Sequence, residues 1–184
     1  MLRWPEPVYT WGSTGAEREE TFACDEVLPQ SPEQLHRAVT VEAPREVVFR
    51  WLCQLRAAPY SYDAIDNLGR RSPQTLTPGL EQLERGQRFM TIFRLVDFEP
   101  GRSITVLSRG TVFGPVACTY RVEDAGRDRT RLVVKLRFAY PRRRVARAVM
   151  GALLPAGDLV MMRRQLLNLK RLAERQARAS QPAG

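Results

Sequence analysis

Large apolar residues alternate with polar ones in the second half of the chain, which is typical of strands with one buried face. In RLVVKLRFAY the alternating apolar residues are Leu132, Val134, Leu136 and Phe138. Lys135 and Arg137 lie between them, so the apolar set is predicted to face the interior. VACTYRVE has the same pattern and would direct Cys118 and Tyr120 inward and Arg121 outward. Together with RFMTIFRLVDF and SITVLSR, these segments predict four antiparallel strands joined by short turns.

A strand and two helices are predicted before this meander. In RAVTVEA, Val39 and Val41 alternate with polar residues, which indicates a short, half-buried strand. Pro44 then stands where a helix would begin, and EVVFRWLCQL places Trp51 on the apolar side of that helix. A second, short helix is predicted over residues 62–68.

Helical spacing marks the C-terminal part of the chain, from about Arg142 to Ala179. An interruption is predicted at Pro155–Gly157, with Asp158 as the N-cap of the second half. The buried stripe of that half follows three- and four-residue spacing: Leu159, Met162, Leu166, Leu169 and Ala173. The order strand, helix, short helix, antiparallel sheet and long helix predicts an α+β fold.

The 184 residues, of which 43% are hydrophobic, suffice for one domain with a substantial core. Regular patterns begin near Leu35, so residues 35–179 are predicted to form the domain. Residues 1–34 are rich in Pro, Gly and acidic residues and are predicted to form an irregular arm. Residues 180–184 are predicted to be a disordered tail.

The net charge of +9 belongs mainly to one segment. Residues 142–178 contain ten basic residues and two acidic ones, whereas residues 1–141 contain 19 basic and 18 acidic residues. We interpret this basic segment as a solvated helix face that the acidic arm partly neutralises. The alternative is a basic module that binds nucleic acid or an anionic membrane. Nucleic acid is disfavoured because residues 142–184 contain no aromatic side chain.

Several function classes are excluded by composition. The three cysteines form no CxxC pair and lie among apolar residues, which favours buried thiols in a reducing compartment. No signal peptide or spanning segment is recognisable, so a cytoplasmic location is expected.

His36 is the only histidine and has no metal-ligand spacing around it, which disfavours zinc sites and histidine triads. Phosphate-binding glycine motifs are absent, and we expect no metal and no cofactor.

The first candidate site is a cluster of polar residues in YSYDAIDNL. Its members are Tyr60, Tyr62, Asp63, Asp66 and Asn67. Asp63 beside Tyr60 or Tyr62 could carry out acid–base chemistry on an enolisable ketone, and Asn67 could contact a ligand. The same residues also suit a structural role, in which Asp63 caps the following turn and the tyrosine rings pack.

The second candidate site is the inward-facing lining of the sheet and closing helix. Its members are Trp51, Phe93, Phe113, Tyr120, Phe138, Met161, Met162, Gln165 and Leu166. If the interior is hollow, these residues would line a pocket for an apolar ligand, with Tyr120 and Gln165 as polar contacts. If it is filled, they are simply the core.

The order of these elements resembles the helix-grip fold of the START-like, or SRPBCC, superfamily. LHRAVTVEAPREVVFRWLCQL is similar to the opening strand and helix of that superfamily, and GRDRTRLVVKLR is similar to its late hairpin. VMMRRQLLNLKRLAE resembles the closing helix, while YSYDAIDNL and WGSTGAEREE resemble elements of one bacterial branch. The resemblance implies a curved antiparallel sheet around a long C-terminal helix, with two short helices after the first strand and an apolar cavity between sheet and helix.

The sequence therefore supports three functional hypotheses. The resemblance favours binding of a small hydrophobic molecule, lipid-like or polyketide-like, between the sheet and the closing helix. A cofactor-independent polyketide cyclase or dehydratase, using Asp63 with Tyr60 or Tyr62, is the enzymatic alternative. The third function is binding of nucleic acid or peripheral contact with an anionic membrane through Arg142–Arg178.

Overall fold

The computed structural model describes residues 4–110, 114–140 and 144–180. Phe113, Arg142, Arg143 and the predicted tail from residue 181 onward lie outside these residues. The helices are α1 (Glu6–Thr10), α2 (Gly15–Glu19), α3 (Ala23–Val27), α4 (Arg45–Cys53), α5 (Asp63–Asp66) and α6 (Arg144–Ala179), with a 3-10 turn at Gln54–Arg56. The strands are β1 (Glu33–Val41), β2 (Arg88–Phe89), β3 (Phe93–Glu99), β4 (Ser103–Ser108), β5 (Val116–Asp124) and β6 (Thr130–Phe138).

The six strands form one antiparallel sheet in the order β1-β6-β5-β4-β3-β2. The predicted meander is β3 to β6, and β1 closes it by pairing with β6 from Glu33 opposite Phe138 to Val41 opposite Thr130. The sequence predicts one strand in RFMTIFRLVDF, but the structure has two, β2 and β3. Met90 and Thr91 have φ of 42° and 66°, and this left-handed backbone turns β2 back onto β3.

The core lies between one face of the curved sheet and α6. The predicted inward residues of β5 and β6 are confirmed, since Cys118, Tyr120, Val122, Leu132, Val134, Leu136 and Phe138 are all buried in one cluster. Met162, Leu166 and Leu169 of α6 complete that cluster, and α4 packs beside α6 through Trp51 and Leu52. The sequence pattern therefore identified the inner face of the sheet correctly.

The predicted interruption of the C-terminal helix is wrong, because α6 continues through Pro155. A proline inside a helix loses a backbone hydrogen bond and costs about 3 kcal/mol. Pro155 is itself buried, and buried residues such as Met150 and Met162 lie on both sides of it, so packing offsets that cost. Asp158 is consequently not an N-cap but a residue inside the helix.

The N-terminal arm contains three short helices and covers the outer face of the sheet. Phe22 and Cys24 pack there against Ala38, Ala117 and Val133. The acidic residues of the arm pair with basic residues of the sheet in three places: Glu17 with Arg131, Glu20 with Arg121, and Asp25 with Lys135 and Arg137. The sequence predicts that the acidic arm partly neutralises the basic C-terminal segment. These carboxylates instead pair with the sheet.

Candidate functional site

Two buried polar residues share one row across the inner face of the sheet. Arg37 of β1 is paired with Val134 of β6, which is paired with Tyr120 of β5. Inward positions of a strand alternate, so Arg37 lies between the core residues Leu35 and Val39. The Arg37 and Tyr120 side chains are 0% and 1% exposed. Both therefore enter the space between the sheet and α6.

Arg37 forms a buried ion pair with Asp158 of α6. Its Nη2 donates to Asp158 Oδ2 at 2.8 Å, and its Nη1 donates to the carbonyl oxygen of His36 at 2.8 Å. The Asp158 side chain is 14% exposed. Arg37 Nε is buried and has no hydrogen-bond partner among the described residues. One donor of the guanidinium is therefore left for a further acceptor.

Tyr120 is held by the next inward polar residue of α6. Its hydroxyl donates to Gln165 Oε1 at 2.7 Å, and Gln165 Nε2 donates to the carbonyl oxygen of Pro59 at 2.6 Å. The sulfur atoms of Met90 and Met162 each lie 3.7 Å from the Tyr120 hydroxyl. Asp158 and Gln165 are seven residues apart, so two helical turns bring both onto the same face of α6.

Burial changes the protonation behaviour of these groups. Desolvation raises the pKa of Asp158 to about 6, while the Arg37 guanidinium acts in the opposite direction. Desolvation also raises the pKa of Tyr120 well above its usual value, so this phenol remains a hydrogen-bond donor at neutral pH. The site thus offers donors from Arg37 and Tyr120, and one carboxylate that exchanges a proton near neutral pH.

The predicted pocket lining is divided between the interior and the surface of the core. Trp51, Tyr120, Phe138, Met162, Gln165 and Leu166 are buried, whereas Phe93 and Met161 are half-buried. Trp51 of α4 contacts a later part of α6, where its Nε1 donates to Gln176 Oε1 at 2.8 Å. The structure brings Tyr120, Met162 and Gln165 into direct contact, and Met90 joins them.

The residues of the YSYDAIDNL cluster lie around α5 and form mostly local contacts. Asp63 accepts hydrogen bonds from the backbone N–H and the hydroxyl of Ser72 at 2.9 and 2.5 Å. Asn67 donates to the carbonyl oxygen of Arg70 at 2.5 Å, and Tyr62 is exposed. The Tyr60 hydroxyl is buried without a described partner, and burial together with the charge of Asp63 raises its pKa to about 12.

Two hollows lie between the segment after α5 and the C-terminal half of α6. The first, of about 170 Å³, is polar and includes Tyr60, Asp63, Arg164 and Arg171 in its lining. The second, of about 380 Å³, is lined mainly by apolar groups such as Trp51 and Leu172. They share Gln74 and Leu172 and are therefore neighbours on the surface.

Arg37 and Asp158 were not recognised from the sequence as site residues. The alternation of Val39 and Val41 already places residue 37 on the inner face, so Arg37 carried a detectable signal. Asp158 carried no such signal, because its position after Pro155 and Gly157 is also that of a helix cap.

Within residues 4–110, 114–140 and 144–180, no group of three or more His, Cys, Asp and Glu side chains is placed to hold a metal ion. None of the described helices has the length and apolar character needed to cross a membrane.

Comparison with known proteins identifies the fold. No protein-family model and no curated protein matches the chain. An aromatase/cyclase from a Streptomyces species matches with a TM-score of 0.55 and 21% identity, over 82% of this chain and 99% of that one. A protein from Chromobacterium violaceum matches with a TM-score of 0.52 and 14% identity, over 78% and 98% of the two chains. The di-domain ARO/CYC protein BexL matches with a TM-score of 0.51 and 15% identity, over 77% of this chain and 46% of BexL.

The chain therefore has the helix-grip fold that the sequence resemblance implied. At these sequence identities the likeness concerns the fold. A shared fold does not by itself assign an activity to this chain.

Proposed function

We propose that the protein binds a small hydrophobic molecule between the inner face of the sheet and α6. The polar end of that molecule would be held by Arg37, Asp158, Tyr120 and Gln165. The observation that carries this proposal is the placement of two polar pairs, Arg37–Asp158 and Tyr120–Gln165, in one region of an otherwise apolar core. Three free, buried cysteines are consistent with a reducing, cytoplasmic setting.

The Arg37–Asp158 pair is better explained by recognition than by stability. Removing two charges from water costs several kcal/mol per ion, and replacing a buried ion pair by apolar residues is often neutral or stabilising by about 1–4 kcal/mol. The unsatisfied Arg37 Nε adds to this cost. A ligand oxygen that accepted from Nε would relieve it.

The neighbouring side chains favour a site that can change its shape. Met90 and Met162 flank the Tyr120 hydroxyl, and methionine side chains are unbranched and adapt readily to irregular ligands. Two of the three similar structures described above are aromatase/cyclases, which supports an aromatic, polyketide-like ligand.

The proposal can be tested with the fluorescent probe 1-anilinonaphthalene-8-sulfonate, an apolar molecule with one anionic end. We expect saturable binding, weakened at least tenfold in the double variant Arg37→Met/Asp158→Leu without loss of folding stability. The matched control is Arg45→Met/Asp124→Leu, because Arg45 and Asp124 form an exposed ion pair at 3.1 Å. Equal probe affinity in wild type and the Arg37/Asp158 variant would contradict the proposal.

A proton-transfer enzyme of the cyclase or dehydratase type is the second candidate function. It is favoured by the raised pKa of Asp158, about 6, because a carboxylate with this pKa can accept and return a proton near neutral pH. Asp63, the acid–base group proposed from the sequence, is instead hydrogen-bonded to Ser72. The test is exchange of the α-hydrogens of 2-tetralone in D₂O. Loss of exchange in Asp158→Asn, but not in Asp63→Asn, would support Asp158 as the base. Loss of exchange in Asp63→Asn, but not in Asp158→Asn, would instead identify Asp63 as the base.

A further inference from the structure

The outer face of α6 carries a line of exposed aliphatic side chains. Val149, Leu153, Val160 and Leu167 are all exposed, and Leu153 and Val160 reach 66% and 54%. At 3.6 residues per turn these four positions fall within about 40° of arc, so they form one stripe along the helix. We refer to them as the outer stripe.

The outer stripe lies opposite the face that closes the core. Asp158, Met162, Gln165 and Leu169 lie about half a turn from it and point toward the sheet. A surface helix of a single domain normally needs only one apolar face. A line of exposed apolar residues on a second face therefore points to a binding surface.

Arginines border the outer stripe on both sides. The Arg163 guanidinium carbon lies 5.6 Å from the centre of the Trp11 ring, on the side of the arm. The Arg164 guanidinium carbon lies 5.8 Å from the centre of the Tyr62 ring, on the side of α5. Among the described residues, the ion pairs of α6 are Asp158 with Arg37 and Lys170 with Glu174, so Arg163 and Arg164 keep their charge unpaired.

The apolar surface continues beyond Arg164 onto α5. Ile65 and Leu68, which flank the end of that short helix, are 72% and 84% exposed. Tyr62 connects them to α6 through its contact with Arg164. Three carboxylates of the arm, Glu17, Glu20 and Asp25, are paired with basic residues on the outer face of the sheet and do not neutralise Arg163 or Arg164.

We propose that the outer stripe, with Arg163, Arg164, Ile65 of α5 and the nearby Leu68, docks onto an anionic lipid bilayer. The aliphatic side chains enter the boundary between headgroups and acyl chains. The arginines stay at headgroup depth, where their long side chains place the charge beside lipid phosphates. Binding of this kind is peripheral and does not require a membrane-spanning helix.

Two other occupants fit the surface less well. A second copy of the chain would bring four unpaired arginines, Arg163 and Arg164 of each copy, into one interface, where like charges repel. Nucleic acid would use the arginines but gains nothing from exposed Leu and Val side chains, which neither pair with phosphate nor stack on bases. Charge and apolar character together favour the anionic bilayer.

The test is sedimentation of the full chain with vesicles. We expect binding to phosphatidylcholine vesicles that contain 30% phosphatidylglycerol, and little binding to pure phosphatidylcholine. Val160→Glu and Leu153→Glu should each lower the partition coefficient at least tenfold, because a carboxylate would replace an inserted side chain. Arg163→Gln and Arg164→Gln should each lower it about fivefold, with the loss largest at low salt.

The controls separate this surface from general basicity. Arg127→Gln, in the exposed β5–β6 turn, should leave vesicle binding unchanged. Circular dichroism should show that Val160→Glu melts like wild type, since the substituted side chain is exposed. The proposal is overturned if Val160→Glu binds vesicles as wild type does. It is also overturned if a DNA duplex binds more tightly than the vesicles, or if sedimentation velocity shows a dimer that Val160→Glu dissociates.

Discussion

Asp158 is expected to make folding stability depend on pH. Folding raises its pKa from 3.8 to about 6, so the folded protein holds this proton more tightly than the unfolded chain does. The resulting stabilisation is fully present below about pH 4 and is lost as the pH rises through 6. A shift of this size corresponds to a free energy on the order of 3 kcal/mol.

The effect is measured as a difference between two proteins in urea unfolding experiments. The free energy of unfolding of wild type, minus that of Arg37→Met/Asp158→Leu, should fall by about 2.4 kcal/mol between pH 4 and pH 7. Burial lowers the pKa of His36 to about 4, but His36 is present in both proteins and its titration largely cancels. A difference that stays constant, or grows with pH, would show that Asp158 is not desolvated as described.

Gly12 is the residue that lets the arm approach the edge of β1. It has φ of 75°, and a Cβ added there would lie 2.1 Å from the carbonyl oxygen of Ala38. Gly12→Ala should therefore destabilise the protein by about 2 kcal/mol or more in urea unfolding. Gly15→Ala is the control, since its Cβ would meet only the Arg18 side chain at 3.9 Å. An equal effect of the two substitutions would refute this account of Gly12.

At the residue scale, the sequence predicts whether a side chain points inward or outward better than it predicts which residue that side chain contacts. Alternation in β5 and β6 correctly directed Cys118 and Tyr120 inward. The contact between Tyr120 and Gln165 could be suggested, because both residues were assigned to the same interior. The Arg37–Asp158 pair could not, because it joins residues 121 positions apart and depends on how α6 lies across β1.

At the scale of elements, α3 is the part of the arm most firmly fixed to the sheet. Asp25 accepts from Lys135 Nζ at 2.8 Å and from the backbone N–H of Phe22 at 2.8 Å. Asp25→Ala would leave the Lys135 ammonium, which is 6% exposed, without its carboxylate. We expect a loss of about 2–3 kcal/mol in the free energy of unfolding.

Limited trypsin digestion provides a second measurement for the same substitution. Cleavage after Arg18 should become faster in Asp25→Ala, because the arm would leave the sheet more often. Glu19→Ala changes an exposed residue of α2 and should stay within about 0.5 kcal/mol of wild type. Unchanged cleavage in Asp25→Ala would mean that the other contacts of the arm, such as the packing of Phe22 and the Glu17–Arg131 ion pair, hold it without Asp25.

The type and order of the main elements could be predicted, but several details could not. The strand parity and the long closing helix follow from periodicity. The division of RFMTIFRLVDF depends on left-handed backbone at Met90 and Thr91, which neither residue type favours. The continuity of α6 through Pro155 depends on tertiary packing, which overrides the local preference of proline.

At the scale of the whole molecule, α6 separates two functions. Its inner face carries Asp158 and Gln165 toward the sheet, and its outer face carries the outer stripe and the bordering arginines. The positive charge that dominates the composition is thus located on the element that also closes the proposed ligand site. The acidic arm was expected to offset that charge, but its carboxylates instead pair with basic residues on the outer face of the sheet.

The most direct test of the central claim is NMR of the protein with ¹³C-labelled methionine methyl groups, titrated with 1-anilinonaphthalene-8-sulfonate. The account predicts saturable shifts of the Met90 and Met162 methyl signals, with intermolecular NOEs from both to the aromatic protons of the probe. Met150 lies on α6 outside the Tyr120 cluster and should remain unchanged. Saturable binding that leaves Met90 and Met162 unperturbed, or no saturable binding, would contradict a ligand site between the sheet and α6.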